Sequence, residues 1–155
     1  MKKALVTGGA GFLGGSVVKE LVARGVSVRV LALPNEKLDN VAGLDVEIVR
    51  GNVTSVEDAR RAVEGCDTVF HLAAIYKDYM KDYGPLYDVA MHGTFHMLEA
   101  SRRAGVEKVI YTASVVALGR PNEGTRSNET SRYEAFDVDF PYSRATVSYT
   151  HLTLP

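Results

Sequence analysis

The chain has 155 residues, of which 46% are apolar and 24% charged, with 14 glycines, one cysteine and a formal net charge of -1. This is one domain's worth of globular sequence with enough apolar material for a sizeable core. The absence of a basic field argues against nucleic acid or an anionic membrane surface as partner, and no apolar run is long enough to span a bilayer. The lone Cys66 cannot form an internal disulfide, so composition predicts a reduced, cytoplasmic protein. Met1-Lys2-Lys3 resembles the start of a signal peptide, but the glycines between Gly8 and Gly15 interrupt the apolar core such a peptide needs.

The first predicted strand contains Ala4-Leu5-Val6 and runs into Thr7-Gly8-Gly9-Ala10-Gly11-Phe12-Leu13-Gly14. Gly9, Gly11 and Gly14 fit G-x-G-x-x-G, and Gly8, Gly11 and Gly14 fit the looser G-x-x-G-x-x-G. Such glycines permit a tight turn, a close approach of main chain to a pyrophosphate, and close packing of the helix that follows. Val17, Val18, Leu21 and Val22 carry helical spacing behind them, predicting a helix over 12–24 whose N-terminus faces an anion.

A second strand is expected at 27–33, stopped by Pro34-Asn35, and a third at 45–50. Arg29, inside the second strand, is expected to point away from any cofactor. Ser55 caps a helix to Glu64 with Glu57 and Asp58 in its first turn, and Cys66 lies in the turn before a fourth strand at 67–72. A long helix at 85–104 buries Leu86, Val89, Ala90, Gly93, Met97, Leu98 and Ala100 and stops at Gly105, ahead of a fifth strand at 108–113. Strands alternating with helices predict an α/β fold, a doubly wound parallel sheet with helices on both faces. Residues 119–141 are polar and turn-rich, either a loop over an active site or a plain surface excursion. Residues 76–83 are expected as a solvated loop, with a substrate-pocket wall as the alternative.

Ser114 stands at the carboxyl end of the fifth strand, where open α/β sheets bind ligands, and the phenol of Tyr142 can transfer a proton if its pKa is lowered. Seen alone, a capping serine and a half-buried tyrosine are the favoured explanations. His71 reads as a strand-end residue near a ligand rather than a base or metal ligand, and His92 and His96, four apart on one helix, lack a third ligand. No metal is expected.

The motif TGGAGFLG at 7–14, Phe70-His71-Leu72-Ala73-Ala74, Gly93-Thr94, Thr112-Ala113-Ser114 and Pro141-Tyr142-Ser143-Arg144-Ala145 together make the chain resemble the N-terminal half of an extended short-chain dehydrogenase/reductase. The likeness is to NAD-dependent epimerase/dehydratase members, both sugar-nucleotide epimerases and dihydroflavonol-reductase-like enzymes. It implies a Rossmann fold that binds NAD or NADP, a small-molecule substrate and a homodimeric full-length parent built partly on the long helix. It further implies catalysis by Ser114 and Tyr142, and cofactor contacts at Thr7, Gly8, Gly9, Gly11, Phe12, Leu13, Gly14, Leu33, Asn52, Val53, Leu72, Ala73 and Ala74.

The family pattern Tyr-x-x-x-Lys is broken here, because position 146 is Thr146. The missing lysine normally holds the nicotinamide ribose and lowers the tyrosine pKa, so little turnover is expected of this chain. Residues 147–155, Val-Ser-Tyr-Thr-His-Leu-Thr-Leu-Pro, lack helical periodicity and back-translate to a sequencing-library adapter, GTC TCT TAT ACA CAT CTG ACG CTG CCG. The expectation is a domain at 1–146 with a non-native tail at 147–155, a lysine codon in the natural gene at 146, and a substrate domain beyond. Asn52 replaces the family's Asp near the adenine, and Ala90 replaces an Asn. Leu33 at the end of the second strand offers neither an acid for a ribose 2′-hydroxyl nor an arginine for a 2′-phosphate, which leaves NAD and NADP both open.

Overall fold

The computed structural model describes residues 1–76, 79–117, 126–128 and 141–153. Five parallel strands form one sheet: β1 (Lys3–Thr7), β2 (Ser27–Ala32), β3 (Glu47–Arg50), β4 (Thr68–His71) and β5 (Lys108–Tyr111), in spatial order β3-β2-β1-β4-β5. The chain therefore reverses direction across the sheet beside β1, and the crevice at the carboxyl ends of β1 and β4 is the topological switch point. The helices are α1 (Phe12–Ala23), α2 (Val56–Val63), α3 (Gly84–Tyr87), α4 (Thr94–Ala104) and α5 (Pro141–Thr153).

β1 is central because both its faces are apolar. The two-residue period of a strand sends Leu5 to one face and Ala4 and Val6 to the other. Leu5 packs with Leu31, Val69, Ala59, Ala62, Val63 and Met97 beneath α2 and α4, whereas Ala4 and Val6 pack with Val18, Leu21, Val28 and Val30 beneath α1. Arg29, on the α2 face, is buried and donates from Nη1 to the carbonyls of Ala62 and Glu64 at 2.7 Å each, closing the end of α2 and pointing away from the switch point. Its Nε lies 3.0 Å from Glu47 Oε1, an ion pair whose angle makes no hydrogen bond.

The local signals act where the sequence puts them. Ser55 Oγ accepts from the Asp58 N–H at 3.2 Å, and Gly105 takes a left-handed φ of 70° at the end of α4. Strand ends differ by one or two residues from expectation, the third strand beginning at Glu47 and the fourth and fifth ending at His71 and Tyr111.

Two expectations are corrected. The long helix is not uniformly α: between α3 and α4 the segment Asp88–Gly93 is π-helical. Here Gly93 comes against Val53, so closely that a Cβ on Gly93 would lie 2.7 Å from Val53 Cγ2. The stretch after Thr146 is helical, with α5 continuing to Thr153 despite its lack of periodicity. Pro141 suits a helix start, no glycine or proline follows before Thr153, and Ser148 Oγ donates back to the Arg144 carbonyl at 2.7 Å. α5 packs against the π-helical segment and the 3₁₀ turn Val115–Ala117. Of the 119–141 loop, residues 119–125 and 129–140 lie outside the described residues.

Leu5 is fully buried at the centre of the α2/α4 face. Leu5→Ala should lower the unfolding free energy by about 3 kcal/mol, read from the midpoint of a urea titration at unchanged slope.

Candidate functional site

A cleft of about 640 Å³ opens at the switch point, within the range that holds a cofactor-sized ligand. Gly8, Gly11, Phe12, Leu13 and Gly14 form its floor, Leu33, Asn52 and Val53 one end, and Leu72, Ala73 and Ala74 a side wall. Thr7 and Gly9 do not line it; they lie beneath, both buried. Ile75, Tyr76, Pro85, Asp88 and Val89 complete the far end, and Glu36 the near rim.

The floor is shaped by missing side chains. Gly8 has φ of +69°, and a Cβ there would meet the Leu72 carbonyl oxygen at 2.9 Å. A Cβ on Gly14 would sit 2.0 Å from the Gly8 carbonyl oxygen, so only glycine lets α1 start this close to the turn. α1 has no acidic residue in its first turn and no side-chain cap at Gly11. Gly15 N–H is the first to find a helical partner, the Gly11 carbonyl at 2.8 Å, and no partner among the described residues engages the N–H groups of Phe12, Leu13 and Gly14. These donors, with the positive end of the helix dipole, suit a pyrophosphate. Asn40 braces the turn from outside, its Nδ2 donating to the Ala10 carbonyl at 2.8 Å; a polar side chain in a short 3₁₀ turn gave no signal of this in the sequence.

His71 locks the turn to β4. Thr7 Oγ1 accepts from the N–H groups of Leu72 (3.2 Å) and Ala73 (3.1 Å), so its own proton goes to His71 Nδ1 at 2.7 Å. That leaves the ring proton on Nε2, 3.0 Å from Thr94 Oγ1. His71 is 1% exposed, and burial pushes its pKa down to about 4. It is a neutral strut under the cleft, not a base at its surface. Gly93-Thr94 acquires its physical meaning here: the glycine admits Val53, and the threonine closes the chain through His71.

Tyr142, in the first turn of α5, lines a second small cavity of about 30 Å³ with Thr112, Ala90, Ala145 and Thr146. Ala73, Ala74 and Ile75 form the wall common to this cavity and the cleft. Ser114 lies between β5 and the Val115–Ala117 turn on which α5 packs, its carbonyl accepting from the Ala117 N–H at 2.9 Å. Tyr76 lines the far end of the cleft and stands edge-on to Tyr142, ring centroids 5.1 Å apart, yet it is 67% exposed and Tyr79 79%, so the segment is largely solvated as expected while its first residue also borders the site. Residues 77 and 78 lie outside the described residues. His92 and His96 have centroids 6.4 Å apart, and the described residues contain no group of three or more potential metal ligands. No helix among the described residues is long and apolar enough to cross a membrane.

A 3-2-1-4-5 parallel sheet with a glycine turn feeding a helix N-terminus at the switch point defines a dinucleotide-binding domain of the Rossmann type. Residues 5–147 match the 3-beta hydroxysteroid dehydrogenase/isomerase family, and the chain belongs to that family, among the extended short-chain dehydrogenases/reductases that include NAD-dependent epimerases and dehydratases. A putative dihydroflavonol 4-reductase of Synechocystis sp. is 36% identical over 81% of this chain and 36% of its own length. The crystal structure of gox2253 superposes with TM-score 0.90 at 31% identity, over 98% of this chain and 46% of its own. That of Thermus thermophilus UDP-glucose 4-epimerase in complex with NAD gives 0.80 at 33%, over 97% and 49%. The chain thus spans less than half the length of each of these relatives.

The His71 strut makes stability pH-dependent. The unfolded chain takes up a proton near pH 6.5 and the folded one only near 4, so between these values the unfolded state holds more protons and stability falls with acidification. About 3 kcal/mol should be lost from this group between pH 7 and pH 4. Urea unfolding across that range should show the slope in the parent and a smaller one in His71→Asn.

Proposed function

We propose that the chain is the dinucleotide-binding part of an oxidoreductase or epimerase acting at a carbinol or ketone carbon of a nucleotide sugar or related small molecule. The observation that carries this reading is the shared wall at Ala73–Ile75, which sets the Tyr142 cavity directly beside the glycine-floored cleft. NAD or NADP fits the residues present: Gly8, Gly11 and Gly14 leave the space, and the N–H groups of Phe12, Leu13 and Gly14 supply donors for its pyrophosphate. The remaining contacts fall to Leu33, Asn52 and Val53 at the adenosine end and to Leu72, Ala73 and Ala74 along the wall, while Thr7 and Gly9 support the turn from beneath. The bound dinucleotide supplies the hydride acceptor or donor. Tyr142 takes or returns the proton at the substrate oxygen, and the Ser114 hydroxyl hydrogen-bonds that same oxygen and fixes its position.

Thr146 favours a second reading, a non-catalytic NAD(P)-binding sensor or interaction protein. It is buried, lines the Tyr142 cavity and brings no cation to the side of the phenol. On the first reading the unaltered chain turns over poorly, the natural residue at 146 is lysine, and the complete enzyme is a homodimer.

The two readings separate at position 146. Thr146→Lys should raise turnover of an alcohol, ketone or nucleotide-sugar substrate and move its pH optimum toward neutrality, while Tyr142→Phe in that background should remove at least about 100-fold of kcat. Dinucleotide binding with no turnover in Thr146→Lys, and threonine at codon 146 of the source gene, would establish the binding protein instead.

A further inference from the structure

The cleft carries a charge pattern that bears on which dinucleotide it accepts, an inference that rests on the dinucleotide reading above. Among the described residues its only charged lining groups are two carboxylates, Glu36 and Asp88, and no lysine, arginine or histidine lines it. Glu36 does not stand at the end of β2. The turn Leu33-Pro34-Asn35-Glu36 brings it back there: the Glu36 N–H donates to the Leu33 carbonyl at 3.1 Å, and the Leu33 N–H donates to Glu36 Oε2 at 2.9 Å. Arg50 fastens the turn from outside, its Nη1 donating to the carbonyls of Leu33 (2.7 Å) and Glu36 (2.9 Å). The guanidinium is thereby engaged with the turn's carbonyls and does not line the cleft. No hydrogen bond among the described residues engages Glu36 Oε1.

With the pyrophosphate at the start of α1, the adenosine ribose of a dinucleotide lies toward the end of β2, where Leu33 and Glu36 form the rim. We infer that Glu36 selects NAD over NADP, its carboxylate accepting from the ribose hydroxyls and repelling a 2′-phosphate. The residue type at the strand end, Leu33, is neutral in this choice, and the discrimination comes from a side chain three residues later that the turn folds back. A carboxylate facing a diol gains a charge-assisted hydrogen bond. Facing a phosphate in a cleft that no cation lines among the described residues, the same carboxylate becomes a repulsive element, and specificity arises from both effects together.

The test is equilibrium binding of NADH and NADPH to the 155-residue chain, followed by nucleotide fluorescence at low ionic strength, where charge discrimination is largest. NADH should bind at least about tenfold more tightly than NADPH, and Glu36→Gln, which keeps an acceptor for the Leu33 N–H, should shrink the ratio to about threefold or less. Thermal unfolding of Glu36→Gln within about 2 °C of the parent assigns the change to charge rather than to a lost turn. Equal affinities, tighter NADPH binding, or a ratio unmoved in Glu36→Gln overturns the inference and leaves the dinucleotide reading standing. Binding of neither nucleotide overturns both.

Discussion

The hydrogen-bond chain Thr7–His71–Thr94 is the constraint on which the site depends. It joins the end of β1, the end of β4 and the first turn of α4: β1 and β4 are already paired in the sheet, and the chain ties that pair by a directional bond to a helix that otherwise packs on it through apolar contacts. Thr7 Oγ1 gathers two main-chain N–H groups and the imidazole, which leaves the strand-to-glycine turn one arrangement. With the turn so held, the Gly8 carbonyl lies where only a glycine at 14 can pass, and α1 begins with its unpartnered N–H groups at the cleft. A buried neutral imidazole does this without a charge beneath an anion-binding floor. The dependence on acid follows from the same burial.

The second organising feature is the strip Ala73–Ile75 after β4, whose small residues let two sites share one wall. On one side lies the glycine floor, with donors and no cation among the described residues; on the other lies Tyr142 with Thr146 and Ala90. The two family departures, lysine to Thr146 and asparagine to Ala90, meet in that one small cavity although 56 positions separate them in sequence. Both remove polarity or charge from beside the tyrosine. On the proposed reading Tyr142 handles the proton, and Thr146 brings no cation to its side, which is why the proposed reactivity turns on position 146.

Much of this was legible in the residues. The alternation of apolar strands with amphipathic helices forces a parallel sheet, because a strand followed by a helix returns to the sheet in the same direction. Ser55 and Gly105 marked their helix ends because capping is a local hydrogen-bonding matter. Gly8, Gly11 and Gly14 marked the floor of the cleft because a glycine repeat between strand and helix has few other uses. The π-helical turn at Asp88–Gly93 was not legible, since it answers to the approach of Val53 from a distant loop, and neither was the helical continuation to Thr153, because residues 147–153 carry no helical periodicity.

The sequence by itself determined the fold class, the strand and helix order and the location of the anion-binding turn, all of which follow from short-range periodicity and from the conformational freedom of glycine. Only the tertiary structure decided that His71 is a strut, that Arg29 closes α2, that Asn40 braces the turn, that Tyr76 faces Tyr142, and that Glu36 folds back beside Leu33 at the rim of the cleft. Most of these depend on groups 23 to 66 positions apart being brought within hydrogen-bonding or ring contact. A side chain's role is set by which partner relieves its desolvation, and that partner is chosen by the fold, not by the neighbouring residues.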